Sequence, residues 1–107
     1  MKVINFRHIG IPAQNLEETI SYYTSVLGFS ITESGMDVIN GRTINWVKMK
    51  NAQGVCIEFQ DGFSLHLAFT VDEINKDHYY FVAPSGCKVQ FVNDPNGYGL
   101  EFVEEKN

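Results

Sequence analysis

The sequence predicts an α+β fold built from two similar halves, the first of the type βαβββ and the second a shortened βαββ. Three observations lead to this prediction. A helix with clear start and stop signals follows the first strand, short segments rich in β-forming residues fill most of the remaining chain, and the strand motifs of the first half recur in the second. The 107 residues fit one domain, with repeat modules at about 1–61 and 62–107.

The clearest local signal predicts a helix just after the first strand, at residues 3–11. Asn15 is a good N-cap residue, and Glu18 three residues later completes a capping-box pattern. Gly28 provides the C-terminal stop, and Phe29 is expected to fold back on the helix. Apolar residues recur at helical spacing and predict one apolar stripe along the helix: Leu16, Ile20, Tyr23 and Leu27.

The rest of the first half is predicted to form strands. Residues 29–33 are the second strand. Residues 34–42 are predicted as a loop, because they contain two glycines and show no regular spacing of apolar residues. Residues 43–50 and 55–60 are strands joined by a hairpin turn.

The second half repeats this order with fewer residues. A strand at 64–71 precedes Asp72, which is expected to cap a short helix to about Val82. Residues 79–82 are also compatible with an extended strand, and His78, placed on this helix, is expected to have a packing or surface role. Strands at 87–93 and 98–104 follow, with a turn between them.

Two motifs occur once in each half. The sequence His8-Ile9-Gly10-Ile11 is matched by His66-Leu67-Ala68-Phe69, and the pattern Gly-x-x-aliphatic-Glu-Phe ends at Phe59 and again at Phe102. Each half therefore begins with a strand that carries a histidine and ends with a strand that carries a glutamate. The interval between them is shorter in the second half by about one strand with its loop, which is why that half is predicted to be trimmed.

Strand alternation predicts which way these side chains point. Glu58, His66 and Glu101 all alternate with apolar neighbours in their strands, so the apolar face can receive a helix while the polar residue faces the other side. The first strand is less regular, because alternation would place the apolar residues Ile4 and Phe6 on the same face as His8.

Together, His8, Glu58, His66 and Glu101 offer two imidazoles and two carboxylates, a set that suits one divalent ion such as Zn, Ni, Co, Mn or Fe. Such an ion stabilises negative charge on a substrate oxygen, and a nearby glutamate can move a proton. Taken singly, each residue is better explained by packing or surface exposure. Their matching positions in two halves favour the metal site.

Composition narrows the range of partners. The net charge is −5 and the Lys and Arg residues are scattered, so neither nucleic acid nor an anionic membrane is an expected partner. No segment is long and apolar enough to span a bilayer, and residues 1–7 begin a strand, so a cytoplasmic location is expected. Cys56 and Cys87 lack metal-type spacing and are expected to be thiols.

At these residues the chain resembles the vicinal oxygen chelate superfamily, which includes glyoxalase I, methylmalonyl-CoA epimerase, extradiol dioxygenases, and the fosfomycin and bleomycin resistance proteins. The resemblance spans nearly the whole chain. The segments that carry it are His8-Ile9-Gly10-Ile11, Tyr22-Tyr23-Thr24-Ser25-Val26-Leu27-Gly28-Phe29, His66-Leu67-Ala68-Phe69-Thr70-Val71-Asp72, and Asp94-Pro95-Asn96-Gly97 leading to Leu100-Glu101-Phe102.

The resemblance implies paired modules that curl into a mixed-sheet cup around a metal, with the helices outside, and it implies homodimers. It assigns His8, Glu58, His66 and Glu101 as the metal ligands. Dioxygenases and fosfomycin-resistance enzymes lack the ligand that corresponds to Glu58, so its presence indicates the glyoxalase and epimerase branch. The resemblance also implies a metal-bound glutamate as the base, with Glu101 preferred over Glu58.

The expected function is therefore that of a metal-dependent lyase or isomerase, which acts on a small oxygenated substrate through a metal-stabilised enediolate. Two alternatives remain open: a metal-free small-molecule-binding protein of the bleomycin-resistance type, and an Fe(II) extradiol-type dioxygenase. Arg7 and Arg42 are the only arginines, and no set of basic residues suited to glutathione or coenzyme A is evident.

Overall fold

The structure is a computed structural model that describes residues 1–105. The last two residues of the second predicted module, 106 and 107, lie outside the described residues. Chain contacts divide the protein into a central unit, Ile9–Leu65, and a composite unit made of Met1–His8 together with the chain from His66 onwards. The elements of the described range are β1 (Val3–Pro12), α1 (Leu16–Ser25), β2 (Ser30–Ile39), β3 (Arg42–Lys50), β4 (Cys56–Gln60), β5 (His66–Val71), β6 (Phe81–Val82), β7 (Lys88–Asn93) and β8 (Gly99–Glu104).

In the central unit, the strand order β2-β3-β4-β1 confirms the predicted βαβββ arrangement of the first half. β1 runs parallel to β4, while β4 to β3 and β3 to β2 are antiparallel. The apolar face of these strands packs against α1, as the alternation of β4 predicted. The core of this unit consists of Phe29, Val47, Met49 and Phe59, with Ile11, Ala13, Leu16, Ile20, Tyr23 and Ile57 around it.

The caps of α1 confirm the sequence signals at both of its ends. The Asn15 side-chain oxygen accepts the backbone N–H of Glu18 at 3.0 Å. Beyond the helix, Gly28 has a φ of 74°, and the backbone N–H of Phe29 donates to the Tyr23 carbonyl at 2.9 Å. The prediction that Leu27 continues the apolar stripe of the helix was wrong, because α1 ends at Ser25 and Leu27 is 47% exposed beyond it.

The loop predicted at 34–42 was also wrong. β2 continues to Ile39 and pairs along its length with β3. The connection is a tight turn in which Asn40 has a φ of 52° and Gly41 a φ of 76°. Positive φ at both central residues is the mark of a type I′ hairpin turn, which Asn-Gly strongly favours.

The composite unit has the same arrangement of strands as the central unit. Its order is β1-β5-β8-β7-β6; β5 is parallel to β8, whereas β8 to β7 and β7 to β6 are antiparallel. The prediction of paired modules in a mixed sheet is therefore confirmed. The compact units are not identical to the predicted modules, because residues 1–8 group with the second half, and the repeat boundary near residue 61 stays a prediction.

The turns that precede β4 and β8 show the internal repeat at atomic detail. In each turn a side-chain oxygen, of Asn51 or of Asp94, accepts the backbone N–H groups two and four residues later at 2.8 to 3.0 Å. Glu58 and Glu101 follow these turns at the same spacing. The two halves therefore place their glutamates by the same local hydrogen bonds.

The short helix predicted from Asp72 to about Val82 was wrong. Bends, one turn and irregular backbone occupy the segment as far as residue 80, and Phe81–Val82 forms β6, in line with the extended alternative for these residues. The second half therefore keeps four strands and lacks the helix, whereas the prediction removed a strand. One reason is that the Asp72 carboxylate accepts the backbone N–H of Lys2 at 2.7 Å and does not cap a helix.

Two buried strand side chains replace the hydrogen bonds that this helix would have made. The Glu104 carboxylate accepts the backbone N–H of Ile74 at 3.1 Å. The Gln90 carboxamide accepts the backbone N–H of Asn75 at 3.2 Å and donates to the Asn75 carbonyl at 2.7 Å. The segment that they hold covers the apolar face of the composite unit, where Val71, Ile74 and Phe102 form the core with Phe69, Tyr80, Val92 and Leu100 around it.

α1, with 10 residues, is the single helix of the described range. It falls short of the length and apolar character that a membrane-spanning helix requires.

Candidate metal centre

His8 and His66 meet on neighbouring strands of the composite unit. Their imidazole centroids are 5.7 Å apart with an interplanar angle of 79°. Each residue is only 3% exposed. A titratable ring withdrawn from water to this degree costs free energy unless it has partners, so a pair of such rings indicates a built site.

Glu101 approaches the same place from β8. The register pairs Glu101 with Ala68, so its side chain leaves the sheet on the face that also carries His66. The small side chain of Ala68 leaves room for the carboxylate between the strands. The predicted orientation of His66 and Glu101, away from the apolar face of their strands, is confirmed.

A single carboxylate oxygen faces both imidazoles. Glu101 Oε1 lies 3.1 Å from His66 Nε2 and 3.8 Å from His8 Nε2. One ligand atom from each of the three residues falls within 4.8 Å of the others. Two imidazole nitrogens and one carboxylate oxygen are a donor set for borderline divalent ions, so these residues fit the expected metal. The Glu101 side chain is 16% exposed, which leaves one side of the cluster open to solvent.

Two aromatic rings stand beside this cluster. Phe91 is the register partner of Glu101 on β7, and its ring lies 6.0 Å from that of His66 at 88°. Phe81 on β6 stacks on Phe91 with 5.9 Å between centroids and 23° between planes. Sequence reasoning missed these residues. The alternation of residues 87–93 puts Phe91 on one face, but only the register with β8 shows that it is the face of Glu101.

Glu58, the fourth predicted ligand, belongs to the central unit. It is half-buried on β4, opposite Gly10 on β1 and Lys48 on β3, and on the face of the strands that turns away from α1. The structure thus brings together three of the four predicted ligands, within the composite unit. The role of Glu58 as a ligand stays a prediction.

Trp46 lies on the same face of the central unit as Glu58. Its ring packs against Gly35, where an added Cβ would come within 2.5 Å of Trp46 Cζ2. The Lys48 ammonium sits 5.4 Å from the ring centroid and 3.6 Å from the Glu33 carboxylate.

His78 lies in an exposed turn of the composite unit, which agrees with a surface role.

Comparison with solved structures shows which fold this is. A methylmalonyl-CoA epimerase from Mycobacterium tuberculosis is 15% identical, with a TM-score of 0.72 over 98% of this chain and 90% of that chain. A selenomethionyl methylmalonyl-CoA epimerase is 13% identical, with a TM-score of 0.73 over 100% and 99% of the two chains. A variant of the Streptomyces coelicolor methylmalonyl-CoA epimerase, in complex with 2-nitronate-propionyl-CoA, is 17% identical, with a TM-score of 0.70 over 97% and 96%.

Sequence comparison shows the family. No curated protein sequence matches the chain significantly. The family model of the Glyoxalase/Bleomycin resistance protein/Dioxygenase superfamily matches residues 5–99, a range that includes His8, Glu58 and His66 and ends two residues before Glu101. Together with the repeated strand order and the histidine and glutamate positions, this match shows that the chain belongs to the Glyoxalase/Bleomycin resistance protein/Dioxygenase superfamily.

Proposed function

We propose that the protein is a metal-dependent isomerase or lyase that moves a proton on the carbon next to a carbonyl of a small oxygenated substrate. One observation carries the proposal: Glu101 Oε1 lies within 3.8 Å of His8 Nε2 and 3.1 Å of His66 Nε2. The Glu101 carboxylate is itself mostly buried and faces two buried imidazoles. A shared ion explains why all three donors converge.

In this proposal His8, His66 and Glu101 hold one divalent ion, and Glu58 is the fourth ligand. The ion is Zn, Ni, Co, Mn or Fe, and when bound it supplies a Lewis acid that stabilises negative charge on the carbonyl oxygen. Buried imidazoles hold their position without solvent competition, so His8 and His66 fix the geometry of the site.

Glu101 is the proposed general base, with Glu58 as the second candidate. The side chain of Glu101 is the more accessible part of the cluster, at 16% exposed against 4% for His8 and 3% for His66. A base must come within hydrogen-bonding reach of the proton that it removes. Glu101 is therefore the group of this cluster that a substrate entering from solvent meets first.

The reaction type follows the methylmalonyl-CoA epimerases that share the fold, since an epimerase is an isomerase that acts at a single carbon centre. The substrate proposed here is smaller. Arg7, one of two arginines, already donates to Glu105 at 2.7 Å and to Thr70 at 3.2 Å, so its guanidinium is committed within the composite unit. A substrate attached to a phosphate-bearing group the size of a nucleotide needs cationic side chains to bind its phosphates, and Arg7 is already paired.

Metal uptake tests the proposal directly. Purified protein, stripped with a chelator and titrated with Co(II), is expected to bind about one ion per chain with a visible d–d absorption band. His66→Ala removes an inner ligand and is expected to abolish the band. His78→Ala is the matched control, because His78 is exposed in a turn of the same unit. It is expected to bind Co(II) like the wild type.

Failure of the full chain to take up Co(II), Ni(II), Zn(II), Mn(II) or Fe(II) would refute the proposal. The metal-free alternative, a small-molecule-binding member of the bleomycin-resistance type, would then take its place. A thermal shift with an aromatic drug such as bleomycin, in the absence of any metal, would support that alternative.

A second candidate function has one observation in its favour. The three donors that meet are two histidines and one carboxylate, which is the ligand composition of non-haem Fe(II) oxygenases. Anaerobic reconstitution with Fe(II), followed by exposure to oxygen with catechol, tests this candidate. Oxygen uptake that depends on catechol supports an extradiol-type dioxygenase, and its absence in an iron-loaded sample rules this activity out for catechol.

We also propose a homodimer. Apolar side chains in the first part of β1 remain exposed in the single chain: Val3 at 51%, Ile4 at 50% and Phe6 at 53%. Three exposed apolar residues within four positions favour burial against another chain. Light scattering coupled to gel filtration tests the assembly, with Phe6→Lys expected to shift the mass towards that of one chain.

A further inference from the structure

The wall beside the candidate metal centre is aromatic. In the antiparallel pair of β7 and β8, Phe91 lies directly opposite Glu101, so the two side chains leave the sheet on one face. Phe81 pairs with Val89 on the same face and stacks on Phe91. Both phenylalanines are half-buried and neither is sealed from solvent.

This wall carries no positive charge. Alternation and register place nine residues of β5, β7 and β8 on the face of the cluster, namely the register sets that include His66, Phe91 and Glu101. None of them is Lys or Arg. Lys88 belongs to the opposite face, where its ammonium lies 5.7 Å from the ring of Tyr80. Arg7 of the neighbouring strand β1 donates to Thr70 on this face at 3.2 Å, but the same nitrogen is paired with the Glu105 carboxylate at 2.7 Å. The strands β5, β7 and β8 themselves therefore offer no cation to a phosphate or carboxylate of a substrate.

Packing alone is the other explanation for the aromatic pair. The hydrophobic core of the composite unit lies on the opposite face of the same strands, around Val71 and Phe102. Phe81 and Phe91 are not members of that core, and Phe91 turns its ring edge-on to His66, 6.0 Å away. An accessible aromatic pair that borders a carboxylate and an imidazole has the composition of a ligand pocket, in which apolar walls surround a few polar groups.

We propose that Phe81 and Phe91 determine substrate specificity. They would receive an uncharged alkyl or aryl substituent of a substrate whose oxygens bind the ion held by His8, His66 and Glu101. This inference rests on the proposed function and deepens it, because it names the substrate class. The substrate is an apolar-substituted carbonyl or hydroxy-carbonyl compound. Burial of an aryl group against the two phenylalanine rings adds to the binding free energy through apolar contact and through favourable ring–ring geometry.

Two oxygen chelators that differ in one substituent test the inference. Acetohydroxamate and benzohydroxamate present the same pair of oxygens to a metal and carry a methyl or a phenyl group. Co(II)-loaded protein titrated with each, and followed by its d–d absorption, is expected to bind benzohydroxamate at least about tenfold more tightly, because only the phenyl group reaches the wall.

Variants then locate the preference. Phe91→Leu and Phe81→Leu are each expected to reduce the ratio of the two dissociation constants to less than about threefold, with Co(II) affinity unchanged. Phe69→Leu is the matched control, because half-buried Phe69 lies on the opposite face of β5. It is expected to keep the wild-type ratio. Phe81 is in a two-residue edge strand, so its variant is expected to fold even if Phe91→Leu does not.

The outcomes separate the two proposals. Equal binding of the two hydroxamates by Co(II)-loaded wild type, or an undiminished preference in the folded Phe81→Leu variant, would overturn the apolar wall and leave the metal-dependent function standing. A chain that takes up no metal would overturn the proposed function and the inference with it.

Discussion

Ala68 and Glu101 are register partners on β5 and β8, and this pairing brings the Glu101 carboxylate to 3.1 Å from His66 Nε2. His66 is two residues before Ala68, so the carboxylate spans a diagonal across the parallel strand pair. The contact depends on the small size of Ala68, which is fully buried. A larger side chain at that position would take the space that the carboxylate crosses.

Replacement of the proposed base gives the first prediction. Glu101→Gln keeps the shape of the side chain but removes its charge and its basicity. We expect a fall of about 10²- to 10⁴-fold in the metal-dependent exchange of carbon-bound protons of hydroxyacetone into D2O, followed by NMR. Glu73→Gln, in the exposed turn segment, is the control and should leave the exchange rate unchanged. Full exchange in Glu101→Gln would transfer the role of base to Glu58.

The hydrogen bonds of Gln90 give the second prediction. The residue is 1% exposed, and its carboxamide also lies 3.4 and 3.3 Å from the carbonyls of His78 and Tyr79. Gln90→Ala leaves buried backbone groups without partners, so we expect about 2–4 kcal/mol less free energy of unfolding in urea. Exposed Gln53 supplies the control, since Gln53→Ala is expected to change stability by less than about 0.5 kcal/mol.

The close approach of Gly35 to Trp46 gives the third prediction. A Cβ at residue 35 would meet the indole at 2.5 Å, so Gly35→Ala is expected to displace the ring and cost about 1–3 kcal/mol of stability. The chain has one tryptophan, so a shift in its fluorescence reports the displacement. In a Trp46→Leu background the same Gly35→Ala change should cost much less. An equal cost in both backgrounds would show that the ring is not the obstacle.

Asp61 gives the fourth prediction, which concerns pH. Hydrogen bonds from the side chain and then the backbone of Asn45 hold the pKa of the Asp61 carboxyl below its ordinary value of 3.8. The charged form is therefore favoured by folding, and its stabilising contribution is present above that value and is lost as the pH falls through the lower pKa of the folded state. Because Asp61 is exposed, the contribution is small.

The measurement for this prediction compares the wild type with Asp61→Asn in urea between pH 7 and pH 2.5. The difference in unfolding free energy is expected to be largest near pH 7 and to shrink below pH 3.8. A difference that grows in acid would contradict the assignment of the Asn45 hydrogen bonds as its cause.

Local patterns were sufficient where a few neighbouring residues decide the structure. The N-cap at Asn15, the stop at Gly28 and the alternation around Glu101 were all predicted from residues close in sequence. The hairpin at Asn40-Gly41 was equally local, yet the prediction treated its glycine as a sign of a loop. The Asn-Gly pair was the signal that would have extended the second strand.

The missing helix of the second half depends on contacts distant in sequence. Nothing near Asp72 indicates that its carboxylate will accept a hydrogen bond from Lys2, or that Gln90 and Glu104 will bind the segment from strands formed later in the chain. The sequence did hold one sign of this arrangement: Gln90 and Glu104 are polar residues at strand positions that face the core. The aromatic wall at Phe81 and Phe91 was missed for the same reason, because its face depends on strand register.

The division of β1 between the two compact units has a consequence for fragments of this protein. His8 belongs with a part of the chain that begins at His66, more than half of the sequence later. Cleavage in the exposed stretch near Asp61 would therefore leave one polypeptide with His8 and another with His66 and Glu101, neither able to assemble the donor set. Co-expression of the two pieces and recovery of the cobalt colour would measure how strongly they re-associate.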